Sequence, residues 1–541
     1  MTLTSIVGVL AGVTAMGFVA GCGPMGRPGG DTGHQIARGA AGMVVTSSSH
    51  ATNAGVEILE QGGNAVDAAV AAAFTLAVAE PSMSGIGGRT QILLRSSDGE
   101  FYGIDGTTQI PSGYPGSEGS ISSGYAMVGV PGTVAALTKV LDEHGTLPLS
   151  AVLQPAIALA ENGFPLDSGE AERIGGAARH LTRYEGSRRL FMAPGGTARP
   201  HGYHWRQPEL ARTLKAIAEG GRDAFYRGDV ARRMADDITA NGGFVTEHDL
   251  AAYEAVSVRV VRGSYRGFGL AGLSMPAAGA TTIEILQILE RFDLAGMSES
   301  EWAFHVVEAL RLGYEDWFAA HGTLEEKVAL VISKEWAATR AEEIGKKVGT
   351  SVPGDASAGN TAHLTVVDGN GGAVALTQSL GPAMGSRVAT PELGFAYAAT
   401  MGYLTQTEPG ARASSFISPF FVLRDGQAAF VMGAAGARRI VTSIVESLSR
   451  AIDRGYSFAD AVAAPRLHPD DDTLVVERRL PAYTWPDSLV AVFEDRGWPV
   501  RNEGSGPYFG RIHGVQIING ERFGVADPRW DGTARSSGGN D

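Results

Sequence analysis

The chain has 541 residues and a mass of 56.3 kDa, with 44 Lys and Arg against 58 Asp and Glu, a net charge of −14 at neutral pH. That length suits two to four domains or one large layered domain, and 44% hydrophobic with 19% charged content excludes a wholly disordered chain, a polytopic membrane protein and a coiled coil. The acidic balance argues against a groove for DNA or RNA, and a single cysteine excludes intramolecular disulfides, a CxxC redox centre and a cysteine-rich zinc site.

Residues 1–22 end in Val19-Ala20-Gly21-Cys22 after an uncharged run from Ile6 to Gly21. As a helix this run spans about 24 Å, short of a bilayer core, so it reads as a signal-peptide apolar region. It resembles a bacterial lipoprotein signal, which implies export and a lipid on Cys22, with the protein facing the periplasm or the cell exterior. A short uncleaved anchor is the other reading, because no Lys or Arg precedes the run. Residues 23–42 follow as a flexible tether, rich in Gly and Pro at its start.

From Met43 the pattern is globular. A helix is expected over Ala51–Gln61, stopped by Gly62-Gly63, and a second from the N-cap Asn64, with Asp67 three positions on, to Ala79. Its small residues predict burial on nearly every side. Ile92–Leu94 and Phe101–Ile104, bracketing Ser96-Ser97-Asp98-Gly99, read as a hairpin. Between Pro131 and Phe318 the period is mainly helical, with few strand signals. From Thr361 it changes to two: Thr361–Val367 and Ala373–Ser379 flank a Gly-rich turn, and Phe420–Leu423 and Gln427–Met432 flank Asp425-Gly426. Ile440, Ile444, Leu448 and Ile452 then mark a helix on those strands. Helices layered on sheet are the implied fold class, α/β.

Familiar catalytic patterns are missing: there is no GxxxxGK[ST], GxSxG or HExxH, and Gly85-Ile86-Gly87-Gly88 lacks the third glycine of a dinucleotide fingerprint. His201 and His204 have a metal-like spacing but no nearby carboxylate or thiol, so they read as loop residues. What stands out is the junction Asn360-Thr361, where the stretch GTSVPGDASAGN (349–360) runs directly into a strand that starts with threonine.

The chain resembles the gamma-glutamyltransferase family of N-terminal-nucleophile hydrolases over nearly everything after the tether. The matching segments include Gly63 to Ala71, Glu80-Pro81, Gly85 to Gly88, Val128 to Ala135, Pro155 to Ala160 with Gly163-Phe164-Pro165, Thr361 with His363, Ser414-Ser415, Ser418-Pro419, Ala464-Pro465-Arg466 and Asp527-Pro528-Arg529. The resemblance implies a four-layer αββα sandwich, a large segment 43–360 and a small segment 361–541 that stay associated as a heterodimer after self-cleavage between Asn360 and Thr361. It implies an amide-bond hydrolase or acyltransferase whose Thr361 hydroxyl is the nucleophile and whose freed α-amine is the base. Nucleophile, base and oxyanion donors are then protein groups, so no cofactor or metal is expected, and the partner is a small-molecule or peptide amide.

If Asp368 pairs with Ala373, Thr361 lies opposite Leu380 and beside Ser379. The family has a hydrogen-bonded threonine where Ser379 stands, so an orienting role is implied for Ser379. Backbone N–H groups at Gly436 and Ala437, before a helix, match the family's oxyanion turn, though a positive φ would strain an alanine. Substrate recognition departs from the pattern. The two serines match Ser414 and Ser415, but the arginine that holds a glutamyl carboxylate falls on Thr107, and the Asn, Gln and Asp around the ammonium fall on Gly381, Thr400 and Tyr403. Ala362 replaces a second threonine, the lid shrinks to Thr405–Ala413, and Arg89 is a candidate to reach in. The function expected is cleavage of a gamma-glutamyl-type amide through an acyl-Thr intermediate. An acylase for a larger or non-glutamyl group, and a catalytically dead surface-tethered binding protein, stay open as alternatives.

Overall fold

Period-two burial organises the core of this protein, seen in a computed structural model that describes residues 35–116, 124–346, 359–401, 408–478, 484–504 and 508–538. Its strands, in chain order, are β1 (Ile36–Gly39), β2 (Met43–Thr46), β3 (Arg89–Arg95), β4 (Phe101–Gly106), β5 (Phe164–Pro165), β6 (His204–Trp205), β7 (Val256–Ser257), β8 (Val260–Tyr265), β9 (Phe268–Leu273), β10 (Gly359–Val367), β11 (Ala373–Pro382), β12 (Phe420–Arg424), β13 (Gln427–Ala435), β14 (Leu467–Asp470), β15 (Thr473–Glu477), β16 (Val500–Glu503), β17 (Arg511–Ile518), β18 (Glu521–Ala526) and β19 (Thr533–Ser536). Two seven-stranded sheets form, ordered β1-β18-β17-β13-β12-β9-β8 and β19-β2-β10-β11-β3-β4-β7.

Successive side chains of a strand point to opposite faces, so each sheet separates two cores. Met43 and Val45 join Leu93, Val367, Phe421, Val431 and Val515 between the sheets, whereas Val44, Ile92, Leu94 and Leu364 pack outward against helices. On the other sheet, Leu270, Val422, Met432 and Ile512 pack outward against the helices Gly279–Leu289, Glu299–Phe318 and Arg439–Ile452. The result is the four-layer αββα arrangement.

The helix Ala65–Ala79 shows how the sequence sets this up. Asn64 Oδ1 accepts from Val66 N and Asp67 N while Asp67 Oδ2 accepts from Asn64 N, a reciprocal cap that fixes the start. All fifteen residues are buried, and eight alanines let neighbouring backbones approach. At its N-terminus Ala65 N donates to Asp368 Oδ2 at 3.0 Å, tying the helix to the β10–β11 turn.

Three expectations need correction. The segment 23–42 is not a tether to its end, because Ile36–Gly39 forms β1 and pairs antiparallel with β18. The β10–β11 register is one residue off: Val367, not Asp368, pairs with Ala373, and Thr361 lies directly opposite Ser379. Asp368 is withdrawn from the ladder because its Oδ1 accepts from Asn370 N and Gly372 N, making it the anchor of the turn. The stretch read as mainly helical also contains the β8–β9 hairpin, which forms one edge of the first sheet. Its Gly-rich sequence GSYRGFG weakens the alternation that marks a strand.

Strands from before and after position 360 interleave in both sheets. In the second, β10 and β11 lie between β2 and β3, and β19 closes the edge beyond β2. A break at Asn360-Thr361 therefore leaves both pieces sharing two hydrogen-bonded sheets.

Candidate active site

A β-irregularity marks the junction: Thr361 pairs with Ser379, but Asn360 pairs with Gly381, so the ladder slips between Asn360 and Thr361. Three hydrogen bonds converge there on one oxygen. Ser379 Oγ is 3.0 Å from Thr361 Oγ1, donates to the Asn360 carbonyl at 3.0 Å, and accepts from Gly381 N at 2.9 Å. A serine hydroxyl has one proton, so a Ser379 that donates to the carbonyl must accept from Thr361. The Thr361 proton therefore points at Ser379, leaving its oxygen lone pairs for the adjacent carbonyl carbon, whose oxygen Ser379 polarises. Asn360 is 6% and Thr361 5% exposed, so these bonds form away from bulk water. Gly381 has φ +93°, a conformation that suits glycine.

The same register extends the row. Ser379 lies opposite Arg89, and Thr90 opposite Gly106, which sets Thr107 on the far flank of Arg89. Side chains directly opposite in an antiparallel ladder share a face. Thr361, Ser379, Arg89 and Thr107 thus line one end of one sheet, with Arg89 two strands, or about 10 Å, from Thr361. Thr107 is turned into its own strand: its Oγ1 donates to Asp105 Oδ2 at 3.1 Å and its N–H to Asp105 Oδ1 at 3.0 Å. Asp105, 1% exposed, also meets Gln91 Nε2 at 3.2 Å and Arg412 Nη1 at 3.4 Å. Sequence reading passed over this carboxylate, although the β3–β4 hairpin pattern puts Gln91 opposite it.

The other described positions expected in substrate recognition gather at the same end. Ala413 N bonds to Thr108 O and Ile110 N to Ala411 O, which brings Ser414-Ser415 beside Thr107-Thr108. Ser414 is exposed, whereas Ser415 is buried with no partner for its Oγ. Thr400 is fully buried, its Oγ1 also without a partner, and it presses on Gly129, where a Cβ would stand 2.5 Å from that oxygen. Ala399 N donates to Leu380 O, holding this loop against the end of β11. Tyr403, most of residues 349–360, part of the shortened lid, Cys22 and its leader lie outside the described residues.

At the expected oxyanion turn, β13 ends at Ala435 and the helix starts at Arg439. Between them Gly436 has φ +136° and Ala437 φ +55°. Left-handed alanine costs roughly 1–2 kcal/mol, so the surroundings must hold it. One buttress is the close approach of Gly510, whose Cα would be 2.9 Å from a Cβ on Gly436. Gly510 is fixed in turn by Arg466, whose Nη1 donates to the Gly510 carbonyl and whose Nη2 pairs with Asp527 at 2.7 Å. Arg529 joins Asp527 at 3.2 Å and Glu477 at 2.7 Å. The Ala-Pro-Arg and Asp-Pro-Arg segments are thus a buried ionic brace behind the turn.

His363 does not reach Thr361. Its Nδ1 meets Thr377 Oγ1 at 2.7 Å and its Nε2 meets Thr365 Oγ1 at 3.1 Å. Burial, with His513 nearby, pushes its pKa well below the ordinary value, so the ring is neutral. It bridges the sheets: a Cβ on Gly433 would stand 2.3 Å from His363 Cε1. Thr361 is two residues from this contact along β10 and Gly436 three along β13. Ala362 faces the other way, into the helix-side core. His204, expected in a loop, is an exposed residue of β6, and its ring contacts the Asn162 carbonyl at 2.9 Å.

The gamma-glutamyltranspeptidase sequence profile matches residues 51–537. The glutathione hydrolase proenzyme of Escherichia coli (strain K12) is 32% identical, with 92% of each chain covered. The acylase ACY 1 proenzyme of Pseudomonas sp. (strain SE83) is 34% identical over 82% of this chain and 85% of that one. Among solved structures, the cephalosporin acylase from Bacillus halodurans superposes with a TM-score of 0.84 at 27% identity, covering 97% of this chain and 100% of that one.

Proposed function

Because this chain belongs to the gamma-glutamyltranspeptidase family, enzymes that act on amide bonds through a threonine nucleophile, we propose that Thr361 is that nucleophile and that the chain activates itself by cleaving Asn360-Thr361. The observation that carries the reading is the Thr361–Ser379–Asn360 relay. Thr361 Oγ1 attacks the Asn360 carbonyl carbon, passing its proton through Ser379 toward the carbonyl oxygen. Collapse breaks the C–N bond, the proton ends on the Thr361 nitrogen, and an ester joins Asn360 to Oγ1. Water hydrolyses that ester, leaving a carboxylate on Asn360 and a free α-amine on Thr361. With a reference pKa of about 7.7–8.0, that amine can serve as base to its own hydroxyl near neutral pH. An amide substrate then repeats the chemistry: Thr361 takes the acyl group, the Gly436-Ala437 turn receives the oxyanion through backbone N–H groups, and water or an amine accepts the acyl group.

The acyl donor we assign first is a gamma-glutamyl-type amide, with Ser414 and Ser415 as its polar contacts. One observation favours a second reading, an acylase for a non-glutamyl group: Thr107, Gly381 and Thr400 supply no charge where that pattern has charged or amide side chains. Export through the leader, with a lipid on Cys22, completes the proposal, and radiolabelled palmitate lost in Cys22→Ser tests that part.

Intact mass of the purified protein beside Thr361→Ala tests the core of the reading. Residues 361–541 form a piece of about 19 kDa beginning with Thr361, expected in the first sample and absent from the second. A single uncut chain in both would overturn it in favour of a tethered binding protein. Turnover of gamma-glutamyl against glutaryl 4-nitroanilide by the cleaved protein then separates the two donor readings.

A further inference from the structure

The segment from Arg173 to Lys215 carries nine Lys and Arg but two Asp and Glu, in a chain whose net charge is −14. It folds around a cavity of about 520 Å³ in the helical layer, walled by the helix Glu185–Phe191, the turn at Gly195-Gly196 and the start of the helix Pro208–Tyr226. Four arginines line it: Arg188, Arg189, Arg199 and Arg206. Its one lining carboxylate, Glu209, is already held by Arg189.

Arg199 is the telling group. It is 8% exposed, yet no carboxylate among the described residues lies within ion-pair distance of it. Its guanidinium lies 4.9 Å from the Tyr203 ring, whose hydroxyl favours the charge, and 5.3 Å from the Trp205 ring, and its Nη2 donates to the backbone carbonyls of Leu190 at 3.3 Å and Arg189 at 3.5 Å. Arg199 Nε and, beside it in the lining, Gln207 Oε1 have no hydrogen-bond partner. A buried cation without a counter-charge is costly, and an anion brought in from solvent removes that cost. Arg188 and Arg206 stand exposed at the cavity, also without an ion pair among the described residues, so they add attraction without competing carboxylates. Leu190, Met192 and Tyr203 give the wall an apolar side. Gly394, from the segment after Thr361, closes it.

We propose that this cavity is a binding site, separate from the Thr361 row, for a small carboxylate with a flat apolar body. The carboxylate meets the arginine fork geometry and the body lies on the aromatic wall. Isothermal titration of the full chain with sodium benzoate at low ionic strength tests it. One saturable site is expected, weakened at least tenfold in Arg188→Ala/Arg206→Ala, whose positions are exposed and whose ligand-free melting should match the parent. Benzoate should raise the melting midpoint of the parent and not of the variant. No saturation up to roughly 10 mM, or equal affinity in the variant, would overturn the site. Inorganic phosphate binding as tightly as benzoate would overturn the apolar-body assignment. Dextran sulfate binding that benzoate fails to displace would overturn the small-ligand assignment in favour of a polyanionic partner.

Discussion

Replacing Ser379 by alanine removes one oxygen on which three hydrogen bonds of 2.9–3.0 Å converge. Two consequences can be sized. The Gly381 N–H and the Asn360 carbonyl are left buried without that partner, at about 1–3 kcal/mol each, so the folded precursor loses roughly 2–6 kcal/mol of stability. The carbonyl also loses the donor that follows it as it becomes an oxyanion, and removal of one such donor slows reactions about 10²–10³-fold. Loss of the acceptor for the Thr361 proton acts on the same step, so the two effects do not multiply. Self-cleavage of Ser379→Ala should therefore be at least 100-fold slower than in the parent. Precursor purified after brief expression is incubated at neutral pH, and appearance of the fragment starting at Thr361 is followed by mass, with thermal melting as a folding control. Ser379→Thr keeps a hydroxyl and should cleave within about tenfold of the parent. Folded Ser379→Ala precursor that cleaves within threefold of the parent would refute the relay.

Arg89→Gln should raise KM for glutaryl or gamma-glutamyl 4-nitroanilide at least tenfold, leaving kcat and self-cleavage within about threefold, because Arg89 shares the row of Thr361 without touching its oxygen. Equal KM values in both proteins would remove Arg89 from recognition. Gly433→Ala puts a methyl 2.3 Å from His363 Cε1 and should destabilise the fold by about 1–3 kcal/mol, seen as a lower melting midpoint. A midpoint that does not fall would show that the sheets separate freely there. Burial raises the Glu80 carboxyl to about 7, above its ordinary 4.5. The folded state then holds a proton that the unfolded chain releases, so this contribution is complete below pH 4.5 and is lost as pH rises toward 7, by roughly 3 kcal/mol. Urea midpoints at pH 4.5 and 7.5 should differ less in Glu80→Gln than in the parent, and an unchanged difference would refute the assignment.

Local rules read directly from residue order came through where the determinants sit within a few positions of each other. The Asn64–Asp67 cap, the buried alanine-rich helix behind it, the β3–β4 and β12–β13 hairpins and the strand beginning at the Asn360-Thr361 junction are of this kind. The β10–β11 register was missed by one residue because Asp368 could equally be the last strand residue or the turn anchor. Two turn N–H groups bonded to its Oδ1 decide the matter. The β8–β9 hairpin was hidden by glycines that interrupt its alternation.

By itself, the sequence determined the family motifs, the strand that runs on from Asn360-Thr361 and the small residues of the turn before Arg439, since these depend on contiguous residues. Tertiary structure alone decided what surrounds that threonine. Ser379 and Arg89 come from two different strands and Thr107 follows a third, and the cross-strand ladder turns separations of 18 and 290 residues into neighbours about 5 Å apart. It likewise decided that His363 is a strut between sheets, because its partner is a glycine seventy positions away whose missing side chain no local pattern could assign to it.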